Sequence, residues 1–252
     1  MKITLCALAS GLALAFAGPT AFAAGSTGET YQNGFNNDAA ISQSYNSDAT
    51  AYIGQEGALN VASASQQHTQ HSSIDVGQKG FNNTANASQK DTNHATSKVE
   101  QKGLLNVAST SQENGNNQKA DVYQAGFNNT ASVKQSWNTG ADSKVVQEGV
   151  MNVANTNQSF GVDQKADVYQ IGYRNTANAT QIGNWGADSK IVQEGALNVA
   201  TTTQKYGIGQ SADIYQGGFN NTSTITQTGS SLKGTSVQLG AMNVSNITQV
   251  GW

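Results

Sequence analysis

The sequence predicts an all-β protein, a β-solenoid or cross-β stack of ten strand-arc-strand repeats of about 23 residues. Three observations predict it. Four residue columns recur ten times at fixed spacing. The period inside each unit is two. The composition is too polar for an ordinary core, with 37% hydrophobic and 12% charged residues in a chain of 252, both below ordinary usage. An enzyme core needs more large apolar side chains, and a disordered chain carries more charge or proline. Polar low-complexity sequence orders when its backbone and amide groups pair repetitively. The net charge of −3 excludes the basic footprint of a nucleic-acid binder.

Residues 1–23 are set apart from the repeats. Lys2, the apolar run Leu5 to Phe16 and Ala21-Phe22-Ala23 read as a secretory signal peptide with cleavage after Ala23. The run is short for a membrane span, and no later segment is apolar enough for one, so no stable membrane insertion is expected. Cys6 and Pro19 leave with this segment. Residues 24–252 then hold neither cysteine nor proline, and must cohere without disulfides.

The first glutamine of the repeat stands at Gln32, Gln55, Gln78, Gln101, Gln124, Gln147, Gln170, Gln193, Gln216 and Gln238. The step is 23 residues, and 22 at the end. Each opens the frame Q-x-G-x-x-N-x-[A/S]-x-x-x-Q. Two positions on, a glycine column runs from Gly34 to Gly240. Five on comes an asparagine column: Asn37, Asn60, Asn83, Asn106, Asn129, Asn152, Asn175, Asn198, Asn221 and Asn243. Eleven on comes a second glutamine column: Gln43, Gln66, Gln89, Gln112, Gln135, Gln158, Gln181, Gln204, Gln227 and Gln249. Such regularity is a repeat architecture.

Count the first Gln as position 0. Position −2 is Ile or Val in eight units, and +7 is Ala in eight. Positions −4, −2, 0 and +2 therefore share one face, as do +5, +7, +9 and +11. Between them G-x-x-N has turn composition. Each unit reads as strand, tight arc, strand, looser arc. Two short strands bury nothing alone, so the units stack, and ten rungs rise about 48 Å. Gln over Gln and Asn over Asn then form amide ladders that act as structural sites. An unpaired buried amide costs on the order of 1–3 kcal/mol, so such columns need almost every rung.

These residues match the curlin repeat, S-x5-Q-x-G-x2-N-x-A-x3-Q, as in Gln193, Gly195, Asn198, Ala200 and Gln204. The chain thus resembles the curlin family of curli fibre subunits over essentially all of residues 24–252. The leading Ser departs from the pattern: it is present at Ser26 and Ser72, becomes Ala at 49, 95, 141 and 187, and becomes Gln118, Gln164 and Gln210. Few residues separate Ala23 from the first repeat, where the best-known members carry a longer leader. The resemblance implies an extracellular functional amyloid at the cell surface, serving biofilm matrix and adhesion. It also implies three kinds of partner: further copies of itself, a nucleator subunit and an outer-membrane secretion channel. Regular repeats and few charges point to a major subunit.

A slower period runs beneath the first. Odd units read FNND, FNNT or YRNT and even units ALNV, LLNV, VMNV or AMNV. Position −3 alternates in charge: Asp75, Lys98, Asp121, Lys144, Asp167, Lys190 and Asp213. Stacked at one rung, opposite charges attract by roughly 0.2–1 kcal/mol, so this charge ladder is read as a register device.

No catalytic constellation or cofactor motif appears, and no enzyme is expected. The acidic residues recur as ladder members rather than as one carboxylate pair. His68, His71, Asp91 and His94 are expected to meet on stacked rungs. Their types suit a metal, but a polar surface arc explains them as well, and no metal site is assigned. The alternative function is a monomeric secreted β-solenoid binder of ice-binding or adhesin type. It rests on the outward rows Thr201, Thr203 and Thr222, Thr224, Thr226, against which stand Ser63, Asn86 and Lys134 in the same columns.

Overall fold

The computed structural model of the protein describes residues 25–251. The targeting segment read at 1–23 lies outside them. Within them the chain is a β-solenoid of two parallel ten-stranded sheets. Sheet A holds the odd strands, from β1 (Thr27–Phe35) to β19 (Lys233–Ala241). Sheet B holds the even ones, from β2 (Asp38–Ser44) to β20 (Val244–Val250). Each strand pairs with the equivalent strand of the next rung, so Gln124 stands beside Gln147 and Gln135 beside Gln158. Parallel strands need a crossover connection; here each strand's crossover is the opposite sheet and its two arcs.

The buried faces follow from the period of two. In the fifth rung, β9 (Lys119–Phe127) buries Ala120, Val122 and Gln124, and β10 (Thr130–Ser136) buries Ala131, Val133 and Gln135. The apolar core is one continuous column of Ala, Val and Ile running the length of the stack. It is thin because alanine dominates sheet B, which lets the sheets approach closely.

Facing residues share the available volume. In several rungs a small residue at −4 faces a larger one at +9, as at Gly28 with Ile41, Ala120 with Val133 and Ala212 with Ile225, and Ile74 faces Ala87 in the reverse sense. Three even rungs replace the apolar pair by hydroxyls that bond across the core: Ser97 with Thr110 at 2.6 Å, Ser143 with Thr156 at 2.6 Å and Ser189 with Thr202 at 2.5 Å. Each hydroxyl thereby gains a partner inside an apolar column, where an unpaired one costs stability.

The glycine at +2 departs from the expected face. It does not join the core but opens the tight arc at φ between 101° and 130°. A Cβ on Gly126 would drive into the Gly149 carbonyl, and the same holds up the column from Gly34 to Gly218. Two rungs 4.8 Å apart leave room there for a hydrogen only. The residue at +4 takes the left-handed conformation in every rung, from Asn36 to Met242. Gly126→Ala is therefore expected to lower stability in urea unfolding by more than about 3 kcal/mol. Gly186→Ala, at φ +64 with open space around it, should lose only about 1 kcal/mol. Equal losses would remove the steric reading of the column.

Candidate functional site

The polar ladders bound the core at both arcs. Gln124 Nε2 donates to Gln147 Oε1 at 2.8 Å and to the Val107 carbonyl at 3.0 Å. The second bond ties sheet A to the start of sheet B one rung below. Gln135 Nε2 donates to Gln158 Oε1 at 2.9 Å and to the Lys119 carbonyl at 2.8 Å, which ties sheet B back to sheet A. The backbone acceptor fixes which side-chain atom is nitrogen, so both glutamine ladders donate in the same direction, from low rung to high. This pattern holds from Gln32 to Gln238 and from Gln43 to Gln249.

The asparagine ladder also accepts from above. Asn106 Oδ1 receives both the backbone N–H and the Nδ2 of Asn129, each at 3.1 Å. Asn129 Nδ2 also reaches up to the Gly149 carbonyl at 3.0 Å. That bond closes the tight arc onto the glycine column. All interior members of these columns are fully buried.

The end rungs leave this pattern open. Among the described residues nothing donates to Gln32 Oε1 or Gln43 Oε1, and the Asn37 backbone N–H lacks its acceptor. At the other end Gln238 Nε2 and Gln249 Nε2 each make one bond where interior glutamines make two or three, and Asn243 Oδ1 accepts from no described residue. One face therefore offers two acceptors and a donor, and the other offers two donors and an acceptor, at matching columns. Ile41 and Ile247 lie half-open on the two faces. Position −4 is glycine in the first and last rungs alone, at Gly28 and Gly234.

The charge column stands as a stack: Asp75 beside Lys98, then Asp121, Lys144, Asp167, Lys190 and Asp213. Its close ion pairs, however, run along the strand. Lys119 Nζ lies 2.9 Å from Asp121 and Lys165 Nζ lies 3.0 Å from Asp167, while Lys144 sits over the Tyr169 ring at 5.4 Å. The expected vertical pairing misses a second column at −5, where Lys119, Asp142, Lys165 and Asp188 alternate in opposite phase. The two columns form a checkerboard over rungs five to eight. Side chains two apart on one strand share a face, so a lysine reaches the carboxylate on its own strand.

The hydrogen bond to Asp121 holds the Lys119 ammonium above the ordinary lysine value, and Asp167 does the same for Lys165. Half-burial pushes the Asp142 and Asp188 carboxyls up, Lys119 and Lys165 opposing this only in part.

His68, His71, Asp91 and His94 do not meet as one group. His68 Nδ1 lies 3.4 Å from Asp91, while His71 Nε2 lies 3.6 Å from Asp48 and its ring stacks on His94 at 4.9 Å. The buried Thr69 sits between His68 and His71 and turns them into separate columns around the arc. Among the described residues no group of three such side chains could hold a metal ion. The threonines at 201, 203, 222, 224 and 226 do point outward on sheet B, half-buried by their neighbours.

The leading position also does more than the motif records. Gln118, Gln164 and Gln210 are buried in the looser arc, each folded against a glycine three residues before it: Gly115, Gly161 and Gly207. Other arcs exchange this pair for Asn or Thr with Ala or Ser, such as Asn138 with Ala141 and Thr69 with Ser72. The paired change, Gly with Gln against Asn with Ala, was the signal in the sequence.

The curlin associated repeat matches residues 24–57 and 211–233. These two segments are similar to the curlin associated repeat. The matched segments contain the motifs opened by Gln32 and Gln216, and the rungs between them share the same columns and the same hydrogen bonds. Repeat and solenoid together fit a curli-type structural protein. No curated protein matches the chain.

Two expectations follow. Replacing Gln124 and Gln135 together by Leu strands Gln101 Nε2, Gln112 Nε2, Gln147 Oε1 and Gln158 Oε1. It should cost roughly 3 kcal/mol or more in denaturant unfolding; an unchanged midpoint would exclude a stabilising role for the ladders. Asp142→Asn with Asp188→Asn should raise the melting temperature at pH 7. A carboxyl whose folded-state pKa is raised favours folding below its unfolded value and loses that contribution as pH rises through the folded one. The gain should therefore vanish below about pH 4, and a gain persisting at pH 3 would assign it to another cause.

Proposed function

We propose that the protein is the structural subunit of an extracellular curli-type fibre that grows by stacking the last rung of one copy on the first rung of the next. The observation that carries this reading is the complementarity of the two open ends. Gln238 and Gln249 have spare donors where Gln32 and Gln43 have spare acceptors, and Asn243 Oδ1 meets the free N–H of Asn37. The core matches as well: Gly234 falls on Gly28 and Ile247 on Ile41. Thr235 meets Glu29 without repulsion, and an even rung meets an odd one, so the two-rung alternation continues across the junction. Joining like ends sets acceptor against acceptor. The contact is heterologous and does not close, which generates a filament. Open parallel edges at both ends are the usual driving surface for such growth.

Residues 1–23 supply export, and the fibre serves matrix and adhesion outside the cell. A nucleating subunit and an outer-membrane channel are the partners the curlin repeat implies. The chain has no enzymatic part in this role.

The test is seeded assembly of the chain from residue 24 onward. Sonicated fibres should abolish the lag, and fibre diffraction should give a meridional spacing of about 4.8 Å. The variant Gln238→Leu with Gln249→Leu keeps an intact first rung but a blocked last one. Added below stoichiometry, it should stop growing ends. A chain that sediments as a monomer in the presence of seeds would overturn the reading.

A further inference from the structure

The tight arcs carry a feature that stacking alone does not require. Position +4 is left-handed in every rung. Odd rungs place there a residue suited to it, at Asn36, Asn82, Asn128 and Asn220, with Arg174 the exception. Even rungs place Leu59, Leu105, Met151, Leu197 and Met242, at φ between 56° and 58°. Long apolar side chains gain nothing from this conformation and lose stability in it. Nor do they enter the core: Leu105 is 37% exposed and Met242 71%. Strain held at a solvent-facing position points to use.

Their neighbours continue the surface. At +6, even rungs present Val61, Val107, Val153, Val199 and Val244, where odd rungs after the first have Thr. At +3 stand Phe81, Leu104, Phe127, Val150, Tyr173 and Phe219. The result is an apolar stripe down one edge of the solenoid, with Arg174 the one basic group on it after the first rung. Bulk along it alternates: Phe35, Ala58, Phe81 at one end and Tyr173, Ala196, Phe219, Ala241 at the other. Where +3 is alanine, +4 is Leu59, Leu197 or Met242, so knobs and hollows alternate from Phe35 to Phe81 and from Tyr173 to Ala241, while Leu104 and Val150 fill the middle of the stripe.

We infer that this stripe is a lateral seam at which a second copy of the chain packs, joining two filaments side by side. The inference rests on the head-to-tail reading, because the even number of rungs keeps the knob-and-hollow pattern in phase across each junction. Across each junction the run Tyr173, Ala196, Phe219, Ala241 continues into Phe35, Ala58 and Phe81 of the next copy, and a second stripe offset by one rung sets large residues into small ones there. Area decides when this happens. A stripe about 48 Å long and about 10 Å wide offers roughly 500 Å² per subunit, below the roughly 800 Å² per partner of a stable pair. Monomers should not dimerise through it, whereas filaments, which repeat it in every subunit, should pair by multivalency.

Two variants test this. In one, Leu59, Leu105, Met151 and Leu197 are all changed to Asn, the residue the odd rungs use. In the other, Val61, Val107, Val153 and Val199 are changed to Thr, again the odd-rung residue. Both keep the ladders and the end faces. Seeded growth, followed by sedimentation, should stay within about twofold of the unmodified chain, while paired filaments counted by electron microscopy should fall by about tenfold. Single filaments from the unmodified chain would overturn the seam and leave the fibre reading standing. So would pairing untouched by either variant. Unpaired filaments that adsorb to a hydrocarbon-coated surface only when the stripe is intact would assign the stripe to a foreign surface instead. An unmodified chain that does not polymerise at all sinks the fibre reading and the seam with it.

Discussion

In the two motif columns a buried glutamine needs a partner, and this protein supplies it from the next rung. That requirement governs much else. An amide with two donors and an acceptor cannot be satisfied inside an alanine column by its own strand. It needs a second amide one strand spacing away, and a backbone carbonyl within reach across the core. Gln124 finds both, at Gln147 and Val107. The condition then passes to Gln147, which needs Gln170. A ladder built this way tolerates no missing member in the interior, and it has no natural end. The thin core, the fixed period and the open faces are consequences of it. Dispersion and apolar burial contribute through the Ile, Val and Ala columns, but they set no register; the directional amides do.

The backbone accepts this arrangement only through unusual conformations at fixed places. The glycine column turns the chain out of sheet A where a side chain would strike the rung above. The left-handed residue two positions later turns it into sheet B. Asparagine then accepts from the rung above through Oδ1 and closes the arc through Nδ2. Glycine, a left-handed residue and asparagine form one device, and its parts share the motif because none of them works alone.

The stack, its period and the identity of its buried columns were legible from spacing and alternation, because a solenoid repeats its contacts at the same interval as its residues. What escaped was whatever two positions decide jointly. Glycine at +2 carries the parity of an inward residue, yet close approach of the next rung turns it outward. The pairing of −4 with +9, seen in Ala120 with Val133 and in the hydroxyl pair Ser143 with Thr156, depends on which residues face across the core, and the length of the arcs conceals it. Lys119 and Lys165 were overlooked because a column of alternating charge at −3 is complete in itself. Only the shared face of one strand reveals that their ammonium groups reach sideways. His68 and His71 have the composition of a site, but a buried threonine between them sends them apart.

The facing pairs across the core also have a mechanical meaning. Gly with Ile occurs in the two terminal rungs and Ser with Thr in rungs four, six and eight, so the rungs of one subunit are not interchangeable. In the filament proposed above, each level would carry its own address. Sheared between subunits, it would expose the Gly and Ile face that an incoming first rung fits, and would heal. Sheared within one, above Ser143 and Thr156, it would present hydroxyls to Ile41. Such a stump would be a poor template until the broken copy is shed. Fracture and repair would then be unequal events, distinguished by the level at which the column parts.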